Sequence, residues 1–274
     1  MRPRHLVPVV LGLAAVAAQL VYPVVEGAER DRVTVVTVLL FSGASLSHAW
    51  VAHGWRFAAR VLVVVAGGGL AVEALGVATG FPFGAYAYAE RLGLRVGEVP
   101  VIIPLAWTMI GYPALVIART ITGSRTWGPV IGAVALTAWD LYLDPQMVAE
   151  GYWTWQGDGP HLIDTITATN YLAWLGTGWL MMLALWPAAG GFDRRLRTLG
   201  LPVALYAWTW IGSLVAHVVL LDLPQSALYG GVGMGAVLVA LAVALWRGPA
   251  PETTDDDTPG HRESIAAGGR AAAR

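Results

Sequence analysis

The chain contains no cysteine and no lysine. The first absence excludes disulfides and thiolate metal sites and removes redox chemistry as a guide to compartment. The second excludes a retinal-type Schiff base, because the imine needs a lysine amine. All 17 basic residues are therefore arginine. Charge of either sign is scarce: 13% of the residues are charged and the formal net charge is -1, which leaves no basic surface for nucleic acid. The glycine runs Gly67-Gly68-Gly69 and Gly230-Gly231-Val232-Gly233-Met234-Gly235 lack a preceding strand and a lysine, so they read as close helix packing rather than phosphate loops.

What the chain has in abundance is apolar sequence: 56% of its 274 residues are hydrophobic, more than one soluble core of this length needs. Apolar segments of spanning length occupy 6–25, 33–53, 60–80, 99–119, 127–149, 166–186, 200–221 and 226–246. They predict an all-α integral membrane protein, a bundle of about eight transmembrane helices over residues 1–248. The segment from Leu6 to Val25 is nearer a spanning helix than the core of a secretory signal. Residues 249–274, with Thr253-Thr254-Asp255-Asp256-Asp257 and a Gly/Ala-rich end, read as a disordered cytoplasmic tail.

With the N-terminus inside, the inner segments hold Arg2, Arg4, Arg56, Arg60, Arg119, Arg125, Arg194, Arg195, Arg197 and Arg247, and the outer ones Arg30, Arg32, Arg91 and Arg95. The excess of arginine predicts both termini on the cytoplasmic side of the cell membrane. The stretch 81–98 is too interrupted by Pro82, Gly84, Gly93 and Gly97 to span, and its aromatics suit the outer interface.

Against this background two aspartates, Asp140 and Asp144, stand four residues apart within the apolar stretch 127–149, on one helix face. An acid in hydrocarbon is costly enough to be a functional hypothesis by default. Glu73 on the third helix falls at a similar depth in the outer half, as do Gln19, Tyr22, Asn170, Ser213 and His217, and Thr137 extends the aspartate stripe. These residues predict an outward-side cavity lined by acids and aromatics. Trp139, Trp153 and Trp155 flank the acid pair or the loop above it, whereas most of the thirteen tryptophans read as belt or packing residues. His48 and His217 have no matched partner ligands and read as hydrogen-bonded histidines, so no metal site is expected.

The strings Phe81-Pro82-Phe83-Gly84-x-Tyr86-x-Tyr88, Val99-Pro100-x-x-x-Pro104-Leu105-Ala106-Trp107, Trp139-Asp140-x-x-x-Asp144-Pro145, Gly151-x-Trp153-x-Trp155 and Asn170-x-x-x-Trp174 run in this order over about residues 73–180. Together they resemble the membrane carotenoid hydratases of the CruF type, the carotenoid biosynthesis protein family. The resemblance implies addition of water across the terminal C=C of an acyclic carotenoid, a lycopene-like C40 end or a C50 carotenoid such as bisanhydrobacterioruberin, to give a tertiary alcohol without a cofactor. Such a hydration needs a carboxyl that holds a proton beside one that stays ionised, and on that chemistry we assign Asp144 as proton donor, Asp140 as the ionised partner that orients water, and Glu73 as a further acid or relay. Tyr86, Trp107, Trp139, Trp153, Trp155, Asn170 and Trp174 are the implied substrate-binding residues. The implied partners are the carotenoid, water, membrane lipid and other membrane enzymes of the same pathway.

Two other readings use the same acids. A prenyltransferase of the UbiA type holds magnesium and diphosphate with spaced aspartates, but it needs a second Asp-rich motif, and only Asp140-x-x-x-Asp144 qualifies here. A proton-coupled transporter also places acids in the membrane, yet no repeat relates residues 1–120 to 127–246.

Overall fold

The computed structural model describes residues 5–156, 160–163, 165–189 and 196–248. The expected tail, 249–274, lies outside the described residues. The chain forms the helices α1 (Leu6–Val21), α2 (Gly27–His53), α3 (Trp55–Thr79), α4 (Ile102–Ile121), α5 (Trp127–Ala149), α6 (Ala168–Leu185), α7 (Leu196–Val219) and α8 (Pro224–Arg247). It is an all-α membrane bundle, and six of these helices are long and apolar enough by themselves to cross a membrane. The exceptions are α5 and α6, whose polar residues Asp140, Asp144 and Asn170 all point into the bundle and are buried.

Helix α4 is the axis of the molecule. Nearly all its residues from Ile102 to Thr120 are buried, and it packs against α2, α5, α7 and α8. Without water, every backbone carbonyl in such a bundle must find its partner inside the protein. Proline tests that rule, because it removes one i to i−4 bond and frees the carbonyl four residues back. Pro113 frees the carbonyl of Met109, which accepts the hydroxyl of Ser45 on α2 at 2.9 Å. Pro145 frees that of Leu141, which accepts the hydroxyl of Ser226 on α8 at 2.7 Å. So Pro145 lies within α5, which continues to Ala149, and Asp144 is not a helix cap.

The glycine runs pack as their sequence predicts. A Cβ on Gly230 would fall 2.7 Å from the Tyr142 ring and one on Gly69 would fall 3.0 Å from Trp107. The tightest approach is at Gly128, where an added Cβ would meet the Trp186 ring at 1.9 Å. Gly128→Ala forces that indole, itself under the Arg119 guanidinium, out of its seat. Overpacking of this kind costs about 1–3 kcal/mol. A lower midpoint of thermal unfolding in detergent is the expected result, with Gly176→Ala, which meets open space, as the unchanged control.

The ends of the elements differ from the sequence expectation at one end of the bundle. Helix α2 begins at Gly27, six residues before the apolar run at 33, because its first turns extend beyond the apolar stretch and are held by ion pairs. Arg30 meets Glu150 at 2.8 Å and Asp31 meets Arg91 at 2.7 Å. The connections at this end also contain short strands: β1 (Tyr86–Tyr88), β2 (Arg95–Val96), β3 (Val99–Pro100), β4 (Trp153–Trp155), β5 (His161–Ile163) and β6 (Ile166–Thr167). Strand β1 pairs antiparallel with β4, joining the loop after α3 to the loop after α5 as a cap across the bundle.

Candidate active site

The cap follows from a period of two. In a strand, alternate side chains share a face, so Tyr-Ala-Tyr and Trp-Thr-Trp each present two aromatics to one side and a small residue to the other. Tyr86 lies opposite Trp155 and Tyr88 opposite Trp153, and both pairs turn inward while Ala87 and Thr154 are exposed. The ring centroids are 5.1 Å apart in the first pair and 5.6 Å in the second. The two aromatic motifs are thus halves of one lid.

Beneath the lid lies a cavity of about 730 Å³. Its walls are mostly apolar, and Glu73, Asp144 and Asn170 interrupt them. Of the residues predicted from sequence, Tyr86, Trp107, Trp139, Trp153, Trp155 and Trp174 all line it. Trp107 and Trp174 stack face to face at 3.7 Å with 4° between their planes, and Trp139 meets Trp174 edge-on at 6.0 Å.

The acids are held in two ways. Glu73 receives three donors: the phenols of Tyr86 at 2.5 Å and Tyr88 at 2.7 Å on Oε2, and the Trp107 indole N–H at 3.0 Å on Oε1. Burial, and then the Glu73 carboxylate, push both phenols above the usual tyrosine range, so they remain protonated donors. Glu73 is thus the shared acceptor that ties both phenols of β1 and the Trp107 indole together beneath the lid.

Asp140 and Asp144 share one amide. The Asn170 Nδ2 donates to Asp144 Oδ2 at 2.5 Å and to Asp140 Oδ2 at 3.0 Å. Asp144 Oδ1 accepts the Trp153 indole N–H at 3.0 Å, which ties the acid to the lid. Asp140 is fully buried behind the cavity wall, and its Oδ1 has no hydrogen-bond partner among the described residues. Two carboxyls on one NH2 group, with no basic side chain bonded to either among the described residues, suit a pair that holds one proton between its members.

The remaining polar residues divide. Gln19, Tyr22 and Ser213 line the cavity as expected. His217 does not join them: it is fully buried against the Tyr142 ring, with Nδ1 3.4 Å from the Ser226 hydroxyl. His48 bonds the Tyr112 hydroxyl at 2.8 Å in the other half of the bundle. No group of three or more His, Cys, Asp or Glu close enough to hold a metal occurs among the described residues. The sequence reading placed Tyr88 in the aromatic string but not among the substrate-binding residues, although its spacing from Tyr86 carried the signal, and it missed the polar wall of Arg30, Thr34, Gln146 and Glu150, whose partners are too far apart in sequence to be paired by inspection.

No solved structure matches the chain. Among curated proteins it is 30% identical over 128 residues to the bisanhydrobacterioruberin hydratase of Haloarcula japonica. That alignment covers 45% of this chain and 42% of the relative, so the chain spans less than half of the length of the protein it matches. A family model described as carotenoid biosynthesis protein matches residues 33–241, a range that contains the lid, all three acids and the tryptophan stack. By that match over most of its length, the chain belongs to the carotenoid biosynthesis protein family.

Proposed function

We propose that this protein is a carotenoid hydratase that adds water across the terminal C=C of an acyclic C40 or C50 carotenoid to give a tertiary alcohol, using no cofactor. The name of the Haloarcula relative makes bisanhydrobacterioruberin the first substrate to try. The observation that carries the reading is the pair of carboxyls sharing the Asn170 amide at the wall of an apolar, tryptophan-lined cavity, in a member of this family.

The chemistry follows from what a trisubstituted alkene needs. Asp144 faces the cavity and delivers the proton of the pair to the less substituted carbon; the π electrons form the new C–H bond and leave a tertiary cation on its neighbour. Water adds to that cation, and its surplus proton returns to the carboxylate pair, which restores the starting state. Asp140, behind the cavity wall, carries the complementary charge of the pair and acts on the water through Asp144 and the shared Asn170 amide. A carboxyl is a weak acid toward an alkene, so stabilising the cation is the larger task. In this reading Glu73, held by three donors, is ionised and contributes charge already in place before reaction, and each tryptophan face contributes about 0.5–2 kcal/mol of cation–π attraction. Tyr86, Trp153 and Trp155 close the lid over the reacting end, and Trp107, Trp139 and Trp174 form the wall against which it lies.

The test is liquid chromatography with mass spectrometry on carotenoids from a host making acyclic C40 or C50 pigments, with and without this chain. A pigment heavier by one water per modified end is the expected product. Unchanged pigments in both hosts, with the protein present in the membrane, would overturn the reading.

A further inference from the structure

We infer that the carotenoid end enters the cavity sideways from the lipid, through a gap between α1 and α7 that begins at the Gln19–Trp208 hydrogen bond; the inference rests on the hydratase reading for its ligand but on separate observations for its place. A long polyene is insoluble in water, and only its end is modified, so the rest of the molecule has to remain in hydrocarbon while the end is under the lid. The cavity must then open to lipid somewhere along the bundle.

Helices α1 and α7 show where. Near the start of α1 they are in contact: a Cβ on Gly12 would meet Leu201 at 3.0 Å and Leu205 at 3.5 Å. Two turns further, the Trp208 indole N–H donates to Gln19 Oε1 at 2.6 Å and bridges the pair. Beyond that bridge the cavity lies between them. Leu20 on α1 and Pro23 just beyond its end, and Ile211, Gly212, Val215 and Leu220 along α7 and its end, line it. These lining residues are also lipid-facing: Leu20 is 63% exposed, Ile211 43%, Val215 51% and Leu220 53%. From Trp208 to Leu220 the gap runs about 18 Å along the helix axis. Its walls are mostly apolar, with Gln19, Tyr22, Thr209 and Ser213 as their polar members and no charged side chain, whereas the cavity wall toward α2 and the end of α5 carries Arg30, Thr34, Gln146 and Glu150. The cavity therefore offers a dry side to the polyene and a wet side to the second reactant, with the acid between them. Gly212 leaves this wall bare, since a Cβ there would meet nothing nearer than the Trp208 ring at 3.8 Å, so a large side chain at this position would fill the gap.

The native absence of cysteine allows a binding test that does not depend on catalysis. A small maleimide fluorophore is placed at Leu220→Cys, beside the gap, or at Leu172→Cys, on the lipid face of α6 and 66% exposed. Both proteins are reconstituted in phosphatidylcholine vesicles containing an acyclic carotenoid, whose polyene quenches nearby fluorophores. Quenching at least threefold stronger at position 220 than at 172 is expected, and Gly212→Phe in the Leu220→Cys background should abolish the difference. Equal quenching at the two positions would overturn the portal, whatever chemistry the enzyme performs. Preferential quenching at 220 without any hydrated product would leave the portal standing and remove the hydratase reading instead. If Gly212→Phe does not fold, the comparison of 220 with 172 still decides the matter. A Gly176→Phe control, into open space on α6, should leave the difference intact.

Discussion

Asp144→Asn is expected to lower carotenoid hydration by about 10²–10⁴-fold, the usual loss when a positioned proton donor is removed. The substitution keeps shape and removes the exchangeable acidic proton. It also disturbs two contacts, because Asp144 accepts Trp153 on one oxygen and Asn170 on the other, and a primary amide has only one acceptor atom. One donor is left unmatched, at a cost of about 1–3 kcal/mol. Asp140→Asn is the cleaner partner experiment. Only one Asp140 oxygen is engaged, by Asn170, so an amide can accept there and turn its NH2 to the side where Oδ1 already lacks a partner among the described residues, exchanging one unmatched buried group for another. Unfolding within about 0.5 kcal/mol of wild type, together with a loss of activity comparable to that of Asp144→Asn, is the expected pattern for two carboxyls that share a proton and act as a unit. Product yield per folded protein in a membrane assay reads both. Full activity in Asp144→Asn would remove the donor assignment, and full activity in Asp140→Asn alone would reduce the pair to a single acid.

The bundle was legible because the hydrocarbon constraint is written in composition: each apolar run of spanning length has become a helix. The acid cluster was legible for the converse reason, that polar residues in such runs have few places to go. Less visible was how the acids are held. Asn170 and Asp140 are thirty residues apart, and Glu73 and Trp107 thirty-four, so no local period relates them; only the packing of α6 on α5 and α4 on α3 does. The lid is a different case. Tyr-x-Tyr and Trp-x-Trp announce a period of two, but they stand among glycines and prolines and are three residues long, too short to register as strands against an interfacial-loop reading. His217 shows the limit of reasoning by depth alone. It lies near the level of the acids, but the face of α7 that carries it turns toward Tyr142 and Ser226, away from the cavity.

Glu73→Gln separates charge from scaffolding under the lid. In the native site the carboxylate accepts Tyr86, Tyr88 and Trp107 together. Glutamine can keep this geometry: its oxygen accepts Trp107 while its NH2 donates to the two phenol oxygens, which are acceptors as well as donors. The phenol hydrogens then lose their acceptor, a stability cost of about 1–3 kcal/mol. Tyr88→Phe costs a similar amount by removing one donor, but leaves the negative charge in place. If Glu73 serves mainly to fasten the lid, the two variants lose activity in parallel. If its charge stabilises the tertiary cation, Glu73→Gln falls by about 10²–10³-fold, the magnitude found when one preorganised electrostatic contact is removed from a dry site. Tyr88→Phe should then stay within about tenfold of wild type. We expect the second pattern, because the indole that donates to Glu73 is the one stacked on Trp174, which joins the anion to the aromatic wall where the cation forms. Initial rates of product formation at matched folded protein, set beside thermal midpoints for both variants, distinguish the two cases; equal losses of rate at equal losses of stability would confine Glu73 to holding the lid.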